Sequence, residues 1–155
     1  MELYPLVKTL HILSAMVLFG TGLGIAFFFW MGGRSGDDRA ALFAARATVT
    51  ADLLFTLTAV IAQPLTGAWL ILEGGFNPYD RWLVLTYALY LIAGTCWVPV
   101  VFIQLRIREM LKAKLAGDAF DPEAYHRLRS WWFVLGWPAF LALIVVVHLM
   151  VTKPS

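Results

Sequence analysis

The stretch "ILSAMVLFGTGLGIAFFFWM", residues 12–31, is twenty residues without a charge. An α-helix rises 1.5 Å per residue, so about 20 apolar residues cross the roughly 30 Å of hydrocarbon in a bilayer. This run is long enough to do so alone. With its flanks it predicts a first span over about residues 6–31. Its apolar part exceeds the roughly 7–15 residues of a cleavable signal, and "WMGGRSG" is a poor small-x-small cleavage site, so it is read as a structural span.

Three further runs have the same character. They are "VTADLLFTLTAVIAQPLTGAWLIL" (49–72), "WLVLTYALYLIAGTCWVPVVFIQL" (82–105) and "WWFVLGWPAFLALIVVVHLMV" (131–151). Across the chain 61% of residues are hydrophobic and 14% charged, with a mean hydropathy of +0.75. Soluble domains carry about 25% charged residues, so lipid must replace water around much of this surface. The connections are short, which favours antiparallel neighbours. The expected fold is therefore all-α, a polytopic up-and-down four-helix transmembrane bundle forming one domain over residues 1–155.

Orientation follows from Lys and Arg. Nine of the twelve lie in the loops after the first and third spans: Arg34, Arg39, Arg46, Arg106, Arg108, Lys112, Lys114, Arg127 and Arg129. Lys8, Arg81 and Lys153 lie at the other ends. Basic loops stay in the cytoplasm, so both termini are expected in the periplasm, with the chain in a bacterial inner membrane. The net charge of +2 gives no reason to expect nucleic acid as a partner. A single cysteine, Cys96, excludes an intrachain disulfide. The bilayer is the expected partner, and a homo-oligomer or a redox partner is compatible with the pattern.

Within the spans, "GTGLG" (Gly20, Gly22, Gly24) allows a second helix, or a flat cofactor, to come close. Pro64, Pro99 and Pro138 each remove a backbone donor and bend their helices. The amide of Gln63, beside Pro64, is expected to bond a carbonyl that the proline frees. Asp52 is the one carboxylate inside a predicted span, and Arg46, Arg106 or Arg108 is expected to pair with it; proton transfer is the alternative. The threonines of that span are expected to bond back to their own helix. Trp30, Trp69, Trp82, Trp131 and Trp132 sit at span ends, as an aromatic belt does. "Asp121-Pro-Glu-Ala-Tyr" is an N-cap followed by proline at the first helical position.

Two histidines stand at opposite ends of the chain but at one depth. In an antiparallel bundle His11 lies about 1.5 Å inside the outer boundary and His148 about 4.5 Å inside it, at 1.5 Å per residue. Neutral imidazole binds iron, copper and zinc, and two from facing helices can ligate a haem iron. The plainer reading is that both meet water and lipid headgroups.

"YPLVKTLHILSAMVLFGTGLGIAFFFW" (4–30) resembles the opening helix of the HemJ-type protoporphyrinogen oxidases and, more loosely, of CopD-like copper-resistance membrane proteins. Over nearly its full length the chain, through "LTAVIAQPLTGAWLI", "WVPVVFIQLRIR" and "HLMVTKP", resembles a bacterial family of predicted integral membrane proteins of unknown function. The HemJ resemblance implies haem b binding at His11. The Asn-Glu-x-Pro-like region of that family has no counterpart here, so the oxidase activity does not carry over with it. The resulting expectation is a haem b-binding membrane protein with a redox or haem-handling role. His11 and His148 would be axial ligands, Gly20, Gly22 and Gly24 would leave room for the macrocycle, and Trp69 or Trp82 would cover its edge. The alternatives are a cofactor-free assembly partner or anchor, and copper handling by His11 with His148 or a methionine.

Overall fold

A computed structural model describes residues 3–154, and all its regular structure is helical. Helix α1 spans Leu3–Arg34. Helix α2 spans Asp38–Ala51 and continues through a π-helical turn, Asp52–Thr56, into α3, Leu57–Glu73. Helices α4 (Arg81–Ala116) and α5 (Pro122–Thr152) complete the chain. Counting α2 to α3 as one, four helices are long and apolar enough to cross a membrane. Their lipid-facing surface agrees: Leu72 is 76% exposed and Leu91 68%, and an apolar girdle of that size requires an apolar solvent.

The connections are shorter than the hydropathy suggests. Residues 32–48 read as a loop in the sequence, yet only Ser35–Asp37 are non-helical between α1 and α2. The Asp37 side chain caps α2 by accepting the Arg39 N–H at 2.8 Å, and the alanine-rich turns that follow propagate well without being apolar enough to enter lipid. Helix α4 runs on to Ala116 because no breaker follows its apolar stretch, and there Gly117 takes the left-handed conformation (φ 83°) that ends it. Asp121 Oδ1 then accepts the Ala124 N–H at 3.0 Å with Pro122 in the first turn, as the sequence indicates.

Most of the buried core lies at the end carrying the α1–α2 and α4–α5 connections, termed here the loop end. Phe29, Leu42, Ala45, Ile107, Leu111, Tyr125 and Trp132 pack there. Gly32 allows the closest approach of α1 and α2: a Cβ at that position would collide with Ala44. Lys114 Nζ meets Asp38 Oδ1 at 2.7 Å, and Arg129 donates to the Gly33 carbonyl at 2.7 Å. A smaller cluster of Trp82, Leu83 and Leu149 closes the opposite, terminal end. Between these ends α4 packs along α5, and α1 along the second span, while α1 touches α5 only lightly.

Candidate functional site

The loose α1–α5 seam opens into a cavity of about 240 Å³ that all four spans line. Its walls are kept back by small residues: nothing lies within 4 Å of where a Cβ would sit on Gly22, Gly94 or Gly136. Trp97, Trp132, Phe133 and Phe140 supply flat apolar surface. Leu23 and Trp137 line the cavity yet are 54% and 60% exposed, so the opening faces the bilayer sideways. Two aromatic pairs bridge α1 and α5 on either side of it. Phe19 stacks on Phe140 at 4.8 Å, and Phe29 meets Trp132 at 4.6 Å.

One wall is polar. Asp52, Thr56 and Gln104 line the cavity and are 4%, 5% and 1% exposed. The π turn brings the first two here: the Leu57 N–H reaches back to the Asp52 carbonyl, and this one-residue offset is a local departure often found at functional sites. The expected ion pair of Asp52 with an arginine does not form. Arg108 pairs with Glu109 instead, and among the described residues neither Arg46 nor Arg106 forms an ion pair. The partner of Asp52 is the Trp97 indole N–H, at a long 3.5 Å. Thr56 Oγ1, Gln104 Oε1 and Trp132 Nε1 are buried without a hydrogen-bond partner. Such atoms cost about 1–3 kcal/mol each when left unpaired. Thr58 and Thr66 bond back to their own helix, as expected, and Thr95 on α4 does the same. Thr56 departs from that pattern because it closes the π turn. Tyr90 donates its hydroxyl to the Val60 carbonyl, tying α4 to α3 beside the cavity.

His11 occupies a second polar cluster, toward the terminal end and outside this cavity. Its Nδ1 is 2.7 Å from Thr66 Oγ1, and its ring edge lies over Gly67. Thr66 Oγ1 also lies 2.6 Å from the Ala62 carbonyl. With its proton on that carbonyl it accepts from His11 Nδ1, and turned toward the ring it donates, so the imidazole tautomer follows the hydroxyl rotor. Gln63 does not serve the carbonyl freed by its own proline. It donates across to the His11 carbonyl at 2.7 Å and to Ser14 Oγ on α1, where α1 and α3 lie side by side.

The remaining sequence candidates are dispersed. The two α1–α5 aromatic pairs set a register in which His11 and His148 share a level, as expected, but His148 is exposed on α5 while His11 packs against α3. Gly20, Gly22 and Gly24 pack against no neighbouring helix, since a Cβ on any of them would meet open space; Gly22 lines the cavity instead. The helix-packing role falls to Gly32. Trp69 lies 6.1 Å from Tyr4, and Trp82 is buried 5.8 Å from Phe76. Among the described residues no group of three or more His, Cys, Asp or Glu is placed to hold a metal. Asp52 is conspicuous in the sequence as the lone carboxylate of its span. Gln104, Gly94 and Gly136 carry no such signal, because only the helix rotations turn them to one cavity.

Residues 5–154 match a family model described as a predicted integral membrane protein. No curated protein and no solved structure matches the chain.

Proposed function

The chain belongs to the DUF2269 family of predicted integral membrane proteins, and on that premise we propose that it binds a lipophilic small molecule drawn sideways from the bilayer. The carrying observation is the pairing of an apolar, laterally open cavity with the buried polar wall of Asp52, Thr56 and Gln104, two of which have unpartnered atoms. Ligand sites have this composition: mostly apolar lining and a few convergent polar groups. A flat ring would lie against Trp97 and Trp132. A hydroxyl on that ring would donate to the Asp52 carboxyl or to Gln104 Oε1, supplying the partner the fold withholds.

The test compares an alkylphenol with the alkylbenzene of equal chain length, read by quenching of tryptophan fluorescence in detergent. A hydrogen bond contributes about 0.5–1.5 kcal/mol, so the phenol should bind roughly 2–12 times more tightly. Asp52→Ala should shrink that ratio, and Gly94→Leu, which fills the cavity, should weaken both ligands. Equal binding of the two ligands by the native protein would refute the polar wall as the recognition element.

A second reading, haem b bound through His11 with a redox or haem-handling role, is favoured by one observation. His11 Nδ1 lies 2.7 Å from Thr66 Oγ1, and with the Thr66 proton on the Ala62 carbonyl that contact would hold Nδ1 as a donor and leave Nε2 able to ligate, the arrangement typical of metal-binding histidines. His11 thus suits a single axial ligand, whereas His148 faces outward in this structure. Haem would supply one-electron chemistry. The chain's own part would be to orient the imidazole through Thr66 and to leave space at Gly67. Protein purified after haem-sufficient expression should show a Soret band that His11→Ala abolishes; colourless, folded protein refutes this reading.

A further inference from the structure

We propose that the loop end holds one anionic phospholipid, its phosphate gripped between Arg106 and Arg127. These two side chains line a second cavity, of about 360 Å³, between the end of α4 and the start of α5. The rest of its lining is mainly apolar, with Met110, Phe120 and Leu128 among it. The combination suits a headgroup joined to acyl chains better than a free ion.

Three observations support the assignment. First, the two guanidinium groups are available. Among the described residues the ion pairs are made by Arg108, Lys112 and Lys114, and no side-chain hydrogen bond engages Arg106 or Arg127. Arginine's planar fork matches phosphate oxygens in a way a lysine point charge does not. Second, the one acidic residue lining the cavity, Asp121, has an oxygen committed to the Ala124 N–H at the start of α5. Its role is to cap the helix, and two arginines against one carboxylate leave the cavity net positive. Third, the depth is right. Arg106 lies about 36 Å along α4 from Trp82, at 1.5 Å per residue, against about 30 Å of hydrocarbon. With Trp82 at one interface, the arginine stands at headgroup level on the other. Basic pockets between helices at that level recognise phospholipid headgroups. This site is separate from the cavity that Asp52 lines, and its test is independent of the ligand proposed there.

The protein would be purified from mixed phosphatidylglycerol and phosphatidylcholine vesicles and its retained lipid read by native mass spectrometry. One phosphatidylglycerol per chain is expected. Arg106→Gln with Arg127→Gln should lower its retention at least about tenfold, while Arg39→Gln with Arg46→Gln, the same loss of charge elsewhere on the loop end, should retain it. Arg106→Lys with Arg127→Lys, which keeps the charge, controls for folding and should retain more lipid than the glutamine pair. Equal loss in both glutamine pairs would mean diffuse attraction and would overturn the proposal. So would equal retention of phosphatidylcholine, or a thermal stabilisation by inorganic phosphate matching that given by phosphatidylglycerol.

Discussion

Replacing Gly20 and Gly32 by alanine, one at a time, applies the same chemical change to the same helix in two different surroundings. At Gly20 an added Cβ meets nothing within 4 Å. The substitution then removes only glycine's cost inside a helix, about 0.8–1 kcal/mol, and should stabilise by that amount. At Gly32 the Cβ would overlap Ala44 and approach the Ala40 carbonyl at 3.3 Å, so α1 and α2 must separate. Overpacking typically costs about 1–3 kcal/mol. Set against the same propensity gain, Gly32→Ala should be destabilising by up to about 2 kcal/mol. For a chain of this size that is roughly 2–4 °C of melting temperature per kcal/mol, with the two variants moving in opposite directions. Thermal unfolding of both in one detergent, followed by circular dichroism, measures the difference. Shifts of the same sign would refute the reasoning. A destabilised Gly20→Ala in particular would mean that another helix, for instance from a second copy, rests on that face.

Three other outcomes are expected. Gln63→Leu removes both cross-helix bonds from α3 to α1 and should cost about 1–2 kcal/mol in denaturation by sodium dodecyl sulfate, since bonds between membrane helices contribute about 0.6 kcal/mol on average and about 1.7 at most; no measurable loss would show that the contact is incidental. Asp121→Ala loses the N-cap of α5 and should cost about 1 kcal/mol, with Asp121→Asn nearly neutral in the same melt. If the nine basic residues of the loop end keep that end in the cytoplasm, alkaline phosphatase fused after Lys153 should be active and a fluorescent protein dark; the reverse pattern would invert the topology.

What the sequence determined by itself is whatever the bilayer imposes one segment at a time. Uninterrupted apolar length marks four spans, because an unpaired backbone cannot cross hydrocarbon and a helix pairs its own. The Asp121-Pro cap is equally local and equally legible. The uneven distribution of lysine and arginine is legible in the same way, whereas the tryptophans at the span ends do not form one lipid-facing set: Trp82 and Trp132 are 6% and 5% exposed and pack inside the bundle. What lay beyond the sequence is which side of each helix faces a neighbour. In water, an alternation of polar and apolar residues records that direction. In lipid the surroundings are as apolar as the bundle interior, so Gly20 facing lipid and Gly22 facing the cavity look alike in the chain. Only the tertiary structure turned Gly94, Gly136 and Gln104 toward Asp52, joined His11 to Thr66 on a different helix, and moved the close packing from "GTGLG" to Gly32. The physical reason is that contacts between membrane helices are chosen by shape and by a few hydrogen bonds, and both arise only once the helices are rotated against one another.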